Sequence, residues 1–118
     1  MNKRQKIAEK DRYSIIVPNL NRCMVCGTTE RVCIHEVFFG SSNRVKSIND
    51  GLCVPLCFPH HQGTYGVHNN KALDTKLKKQ AEKMWIKTYC DPELSSEEKI
   101  EAFIKRFNIN VLDEDELD

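Results

Sequence analysis

No stretch of the sequence comes near the roughly 18 consecutive apolar residues of a membrane span. The N-terminus carries charge but no apolar core of the kind a secretory signal needs, so the expectation is a cytoplasmic protein. There is no internal repeat, which excludes solenoids and propellers, and no low-complexity segment beyond a short acidic end. Charge of one sign is also missing. The net charge is +1, so no overall basic excess announces a nucleic-acid partner, although a local patch remains compatible with that sum. The charge is unevenly placed, basic in MNKRQKIAEKDR at the start and acidic in DEDELD at the end.

What is present in 118 residues is 40% hydrophobic and 30% charged residues, enough for one domain with a modest core. Six cysteines in a cytoplasmic chain are expected as thiols, so their spacing points to metal ligation, catalysis or packing. Tyr13 to Val17 and Arg31 to Phe39 read as strands, Gly40 to Gly51 as a polar loop, and Leu52 to Cys57 as another strand, with one edge left unpaired at Pro55. Asn70 to Tyr89 is the clearest helix, with Leu73, Leu77, Ala81, Met84 and Trp85 on one apolar face. Ser95 to Glu98 looks like a second helix start, followed by a buried stripe of Ile100, Phe103, Ile104 and Phe107. A single domain over 1–118 follows, with its core in 13–70, flanking helices in 70–108 and an acidic tail in 109–118.

The strongest chemical signal is Cys23-Met-Val-Cys26-Gly27 paired with Cys57-Phe-Pro-His60. Two residues between ligands let a tight turn present both side chains to one tetrahedral ion, and Gly27 suits the positive φ of such a knuckle. Four protein ligands leave no open position, so a zinc ion held there would be structural. His61 is an alternative fourth ligand. Cys33, Cys53 and Cys90 lack partners at ligand spacing and read as small buried hydrophobes. All four histidines fall between residues 35 and 68, within the segment these half-sites enclose or just after it.

CMVCG, CIHEVFFG and LCVPLCFPHHQGTYGVH together resemble the HNH (ββα-metal, His-Me finger) endonuclease family. The likeness is nearest to small phage HNH proteins and the recombination-enhancement nuclease group, and it covers roughly residues 23 to 70. It implies an α+β, zinc-stabilised ββα-metal domain, here with additional C-terminal helices. It also implies cleavage of phosphodiester bonds in DNA with a second divalent ion such as Mg²⁺ or Mn²⁺. A bacterial or phage context, and a recombinase or packaging partner, come from the same resemblance.

In the family, a metal ligand and a histidine base are adjacent on the strand. That register falls on His35 and Glu36, both catalytic candidates. Intrinsic pKa favours His35 as the base and Glu36 as the ligand, whereas register favours the reverse. Neighbours on a regular strand point to opposite faces, so both reach one site only if the strand bulges or ends there. His61 matches the family's last histidine and, with His35 and His68, supplies candidate ligands for the catalytic ion. The middle asparagine is missing: the expected place reads Asp50-Gly51-Leu52, with Asn43 and Asn49 out of register. Arg44, Lys46 and His68, with the helix lysines Lys76, Lys79 and Lys83 and their neighbour Lys87, are candidate nucleic-acid contacts. The departures at Glu36 and at the asparagine leave a second reading open, a catalytically weak zinc-knuckle module for nucleic-acid binding or phage assembly. A zinc-stabilised protein-interaction domain is a third, but it leaves the clustered histidines unexplained.

Overall fold

The computed structural model describes residues 12–117. Apart from Arg12, the basic N-terminal run lies outside them. Two short strands pair antiparallel, β1 (Val32–Glu36) and β2 (Cys53–Cys57), with Val32 opposite Cys57 and Glu36 opposite Cys53. β-Branched and apolar residues dominate both, and β2 is buried along its whole length. Among the described residues, one edge of β2 is left without a strand, where Pro55 has no N–H to give. There the Pro55 carbonyl instead accepts the Met24 N–H at 2.9 Å, so the first cysteine turn covers that edge.

The segment 40–51 is not the loop its polar composition predicts. It contains a helix, α1 (Asn43–Asp50), because tertiary contacts override weak local propensity. The buried Ser47 hydroxyl donates to the Phe38 carbonyl at 2.7 Å and accepts from the Phe38 N–H, while Ile48 enters the core. Gly51 ends the helix at φ 79°, and a Cβ there would lie 2.5 Å from the Tyr13 ring. Tyr13 to Val17 form no strand. The Ser14 hydroxyl accepts from the Ile16 and Val17 N–H groups, a local bond that competes with a ladder, and Ile15 N–H reaches the Gly51 carbonyl instead.

A short helix α2 (Phe58–His61) follows β2 directly, then α3 (Lys71–Tyr89) and α4 (Ser96–Phe107), and a 3₁₀ turn at Glu114–Leu117. Asn70 caps α3 by accepting the Leu73 N–H, and Ser95 with Glu98 forms a capping box on α4. Phe38, Trp85, Phe103 and Phe107 make an aromatic core between β1, α3 and α4. Ile104 departs from its expected place in that stripe: it is exposed, since the core face of α4 is covered by Ile100, Phe103 and Phe107 alone. The acidic end is not a free tail among the described residues, because Leu112 is buried and Glu116 pairs with Lys79 on α3. No helix among the described residues is long and apolar enough to cross a membrane.

Candidate functional site

Among the described residues, two groups of side chains with the chemistry to hold a metal ion stand side by side, sharing the α2 segment. The first is Cys23, Cys26, Cys57 and His60, whose donor atoms all lie within 4.8 Å of one another. Cys57 Sγ is 3.2 Å from His60 Nδ1, Cys23 Sγ is 3.7 Å from the same nitrogen, and Cys26 Sγ is 3.7 Å from Cys57 Sγ. The turn that presents Cys23 and Cys26 closes with Gly27 N–H on the Cys23 carbonyl at 2.8 Å, with Gly27 at φ 80°. Burial opposes ionisation of Cys23, but hydrogen bonds from the Cys26, Cys57 and Val25 backbone bring its thiol down to about 6. Burial pushes the Cys57 thiol up, and the neighbouring Cys23 and Cys26 add to that. This donor set fits a soft, tetrahedral ion such as zinc and leaves it closed to other ligands. His60, not His61, supplies the fourth donor.

His61 belongs to the second cluster, with His35 and His68, again within 4.8 Å of one another. His35 stands near the end of β1, and its ring meets His61 at 5.1 Å and His68 at 5.4 Å between centroids. His61 is the last residue of α2. His68 returns to it because the segment after α2 folds back: Val67 N–H bonds the His60 carbonyl at 3.0 Å. Gly66 permits that approach, since a Cβ there would sit 2.6 Å from the His61 carbonyl carbon. His61 and His68 face each other through their Nε2 atoms at 3.2 Å. His61 Nδ1 is 3.2 Å from Cys33 Sγ, which orients the ring and leaves Nε2 for the cluster. Cys33 is therefore more than the packing residue its spacing suggested.

His35 Nε2 is buried and has no hydrogen-bond partner. An orphaned imidazole nitrogen aimed among two other imidazoles is the arrangement a metal ion would satisfy. Burial, then the nearby His61 and His68, pushes His35 down to about 3, and burial lowers His61 as well. Both are therefore neutral near pH 7 and carry free lone pairs.

The same cavity, about 510 Å³, is lined by Arg12, His35, Glu36, Phe39, Arg44, His61 and His68. β1 ends at Glu36, so both members of the pair reach one cavity, though they do different things there. Glu36 does not join the histidines. Its carboxylate accepts from Arg12 Nη1 on one oxygen and lies 3.2 Å from Arg44 Nε on the other. Arg12 is only 10% exposed at its side chain and Arg44 is 55% exposed. Arg12 carried no motif, and only the fold reveals it.

The remaining candidates separate. Lys46 lines a neighbouring cavity with Lys105, and Lys76, Lys79 and Lys83 line a groove on α3 that has no residue in common with the histidine cavity. Lys79 is committed to Glu116 at 2.7 Å, and Lys87 lies in another groove beside Cys90. At the place of the missing asparagine, Asp50 accepts from Trp85 Nε1 and from Arg106, tying α1 to α3 and α4. Asn43 donates to the Phe107 carbonyl, so it too is structural. Of the other cysteines, Cys53 is fully buried as expected, and Cys90 is half-buried. Compared with family models, with curated proteins and with solved structures, the chain matches none.

Proposed function

We propose that this chain is an HNH-type (ββα-metal) endonuclease that hydrolyses phosphodiester bonds in DNA, with a structural zinc at Cys23, Cys26, Cys57 and His60. The observation that carries this reading is the second cluster: three imidazoles converge in a cavity that also holds two arginines and one carboxylate. Three protein ligands leave a metal open to substrate, unlike the closed Cys₃His set. His35, His61 and His68 would hold such an ion, which would supply Lewis-acid stabilisation of the charge that develops on phosphate oxygens. Imidazole donors suit Zn²⁺, Ni²⁺ or Co²⁺ better than Mg²⁺, which prefers oxygen ligands. The metal expectation drawn from the resemblance therefore moves from Mg²⁺ or Mn²⁺ towards these ions.

With its lone pair committed as a ligand, His35 is not the base. Glu36 takes that role, in line with the family register. Arg44, the more exposed partner of Glu36, is shared between carboxylate and phosphate. An incoming phosphodiester draws the Arg44 guanidinium to itself. The Glu36 oxygen that Arg44 leaves then accepts a proton from the attacking water, whose oxygen bonds to phosphorus as the bond to one sugar oxygen breaks, and that leaving oxygen takes a proton from solvent. Arg12, the less exposed partner, holds the other oxygen and keeps the carboxylate in place.

The doubly paired carboxylate also favours a second reading, in which Glu36 stays locked and the domain binds nucleic acid or an assembly partner without cutting. Plasmid nicking separates the two. With Zn²⁺, Ni²⁺ or Co²⁺ the wild type nicks DNA. His35→Ala and His61→Ala abolish nicking together with the second equivalent of bound metal. Glu36→Gln lowers the rate about 10²- to 10⁴-fold with both metals retained. DNA binding without cleavage under any of these ions would establish the second reading.

A further inference from the structure

Phe39 follows β1 by three residues and stands where two cavities meet. Phe39, Gly40 and Ser41 line both the histidine cavity and its neighbour, which also contains Lys46 and Lys105. Its ring lies 5.8 Å from His35 and 5.5 Å from His68, centroid to centroid, with the Lys78 ammonium 4.5 Å from its centre. The residue is nonetheless 43% exposed. A lone exposed apolar side chain needs no explanation. This one is placed differently, against two of the histidines, with Arg12 and Arg44, both paired to Glu36, on one side and Lys46 and Lys105 on the other. Among the described residues lining the second cavity, none is acidic.

We propose that Phe39 is the stacking platform for an unpaired base, and that the substrate is single-stranded or locally unstacked DNA. The proposal rests on the nuclease reading of the histidine cavity and names its substrate class. A cationic track interrupted by an aromatic ring is the recurring solution for binding a single strand, because phosphates follow the cations while bases stack on the ring. In an intact duplex both faces of every base are already covered, so the Phe39 ring meets a base face only after that base leaves the stack. A base on Phe39 sets its adjoining phosphate against the three histidines and Arg44. The next phosphates run towards Lys46 and Lys105.

The test uses the full-length, zinc-loaded protein with a short single-stranded oligonucleotide and the duplex of the same sequence, measuring affinity and cutting separately. Wild type is expected to bind the single strand about 10-fold or more tighter than the duplex. Phe39→Ala loses that difference, and Phe39→Trp keeps it and shows quenching of the new indole on binding. Removing one base beside the cut site weakens wild type but not Phe39→Ala, a coupling that a merely structural ring would not show. Metal content is measured in each variant, and if Phe39→Ala sheds the second ion, the Phe39→Trp quenching and the abasic strand on wild type decide. Equal affinity for duplex and single strand, or an abasic strand bound as well as the intact one by wild type, overturns the proposal. A protein that cuts nothing yet shows these differences in binding overturns the nuclease reading and upholds the platform.

Discussion

Cys23 and Glu36 show how much a single side chain's surroundings decide. Cys23 is buried, yet backbone N–H groups turned towards its sulfur favour the thiolate, the form that binds metal. Replacing it by Ser removes a soft donor from a four-ligand set and leaves the closing turn without its centre. Cys23→Ser is therefore expected to lose about one equivalent of zinc and the cooperative thermal transition together, measured by metal analysis and circular dichroism. A variant that kept its melting transition without zinc would show that the cluster is not structural. Glu36 has the opposite history. Its position on the strand was legible, but its partners were not, because Arg12 comes from 24 residues away without a motif and Arg44 read only as a loop cation.

At the scale of elements, the return of the segment after α2 is what makes three histidines into one cluster. GTYGVH reads as a loop, and His68 alone could equally be solvated. Gly66 lets the backbone pass against His61, bringing His68 Nε2 to 3.2 Å from its neighbour. Gly66→Ala is expected to push this return outward and weaken metal at the three-histidine cluster by about 10- to 100-fold, while the Cys₃His cluster stays filled. Titration with Co²⁺ separates the two, since only the cysteine cluster shows thiolate-to-metal absorption. Loss of that absorption in the same variant would place Gly66 in the common scaffold instead. The helix at 43–50 was hidden for a related reason. Its Asn, Ser and Asp residues have little helical preference, and the bonds that hold it run from Ser47 to Phe38 and from Asn43 to Phe107.

For the whole molecule, the notable cost is Glu82, wholly buried on α3. One oxygen accepts the Val111 N–H at 3.0 Å and the other has no partner. Burial raises its pKa from 4.5 to about 7, the Val111 bond opposes that rise, and Glu116 adds to it. The folded state thus holds the proton more tightly than the unfolded chain. Its contribution to stability is full below the unfolded value and is lost as pH rises through about 7. Glu82→Gln, neutral at every pH, keeps the Val111 bond. Its melting temperature is expected to exceed wild type by several degrees at about pH 8, and the gap to shrink towards about pH 6. A gap independent of pH would mean that Glu82 is ionised in the fold throughout.

The sequence by itself determined what depends on near neighbours: the Cys-x-x-Cys and Cys-x-x-His half-sites, the capped helices over 71–89 and 96–107, and the apolar stripe that became the aromatic core. Ligand spacing and helical periodicity are local properties, so they survive without knowledge of the fold. Only the tertiary structure brought His35, His61 and His68 within reach of one another, gripped Glu36 between two arginines, and set Phe39 between two cavities that carry basic side chains. Each of those depends on residues far apart in the chain meeting at the end of one short strand. The physical reason is that burial and charge pairing are properties of the assembled surface, which no window of sequence contains.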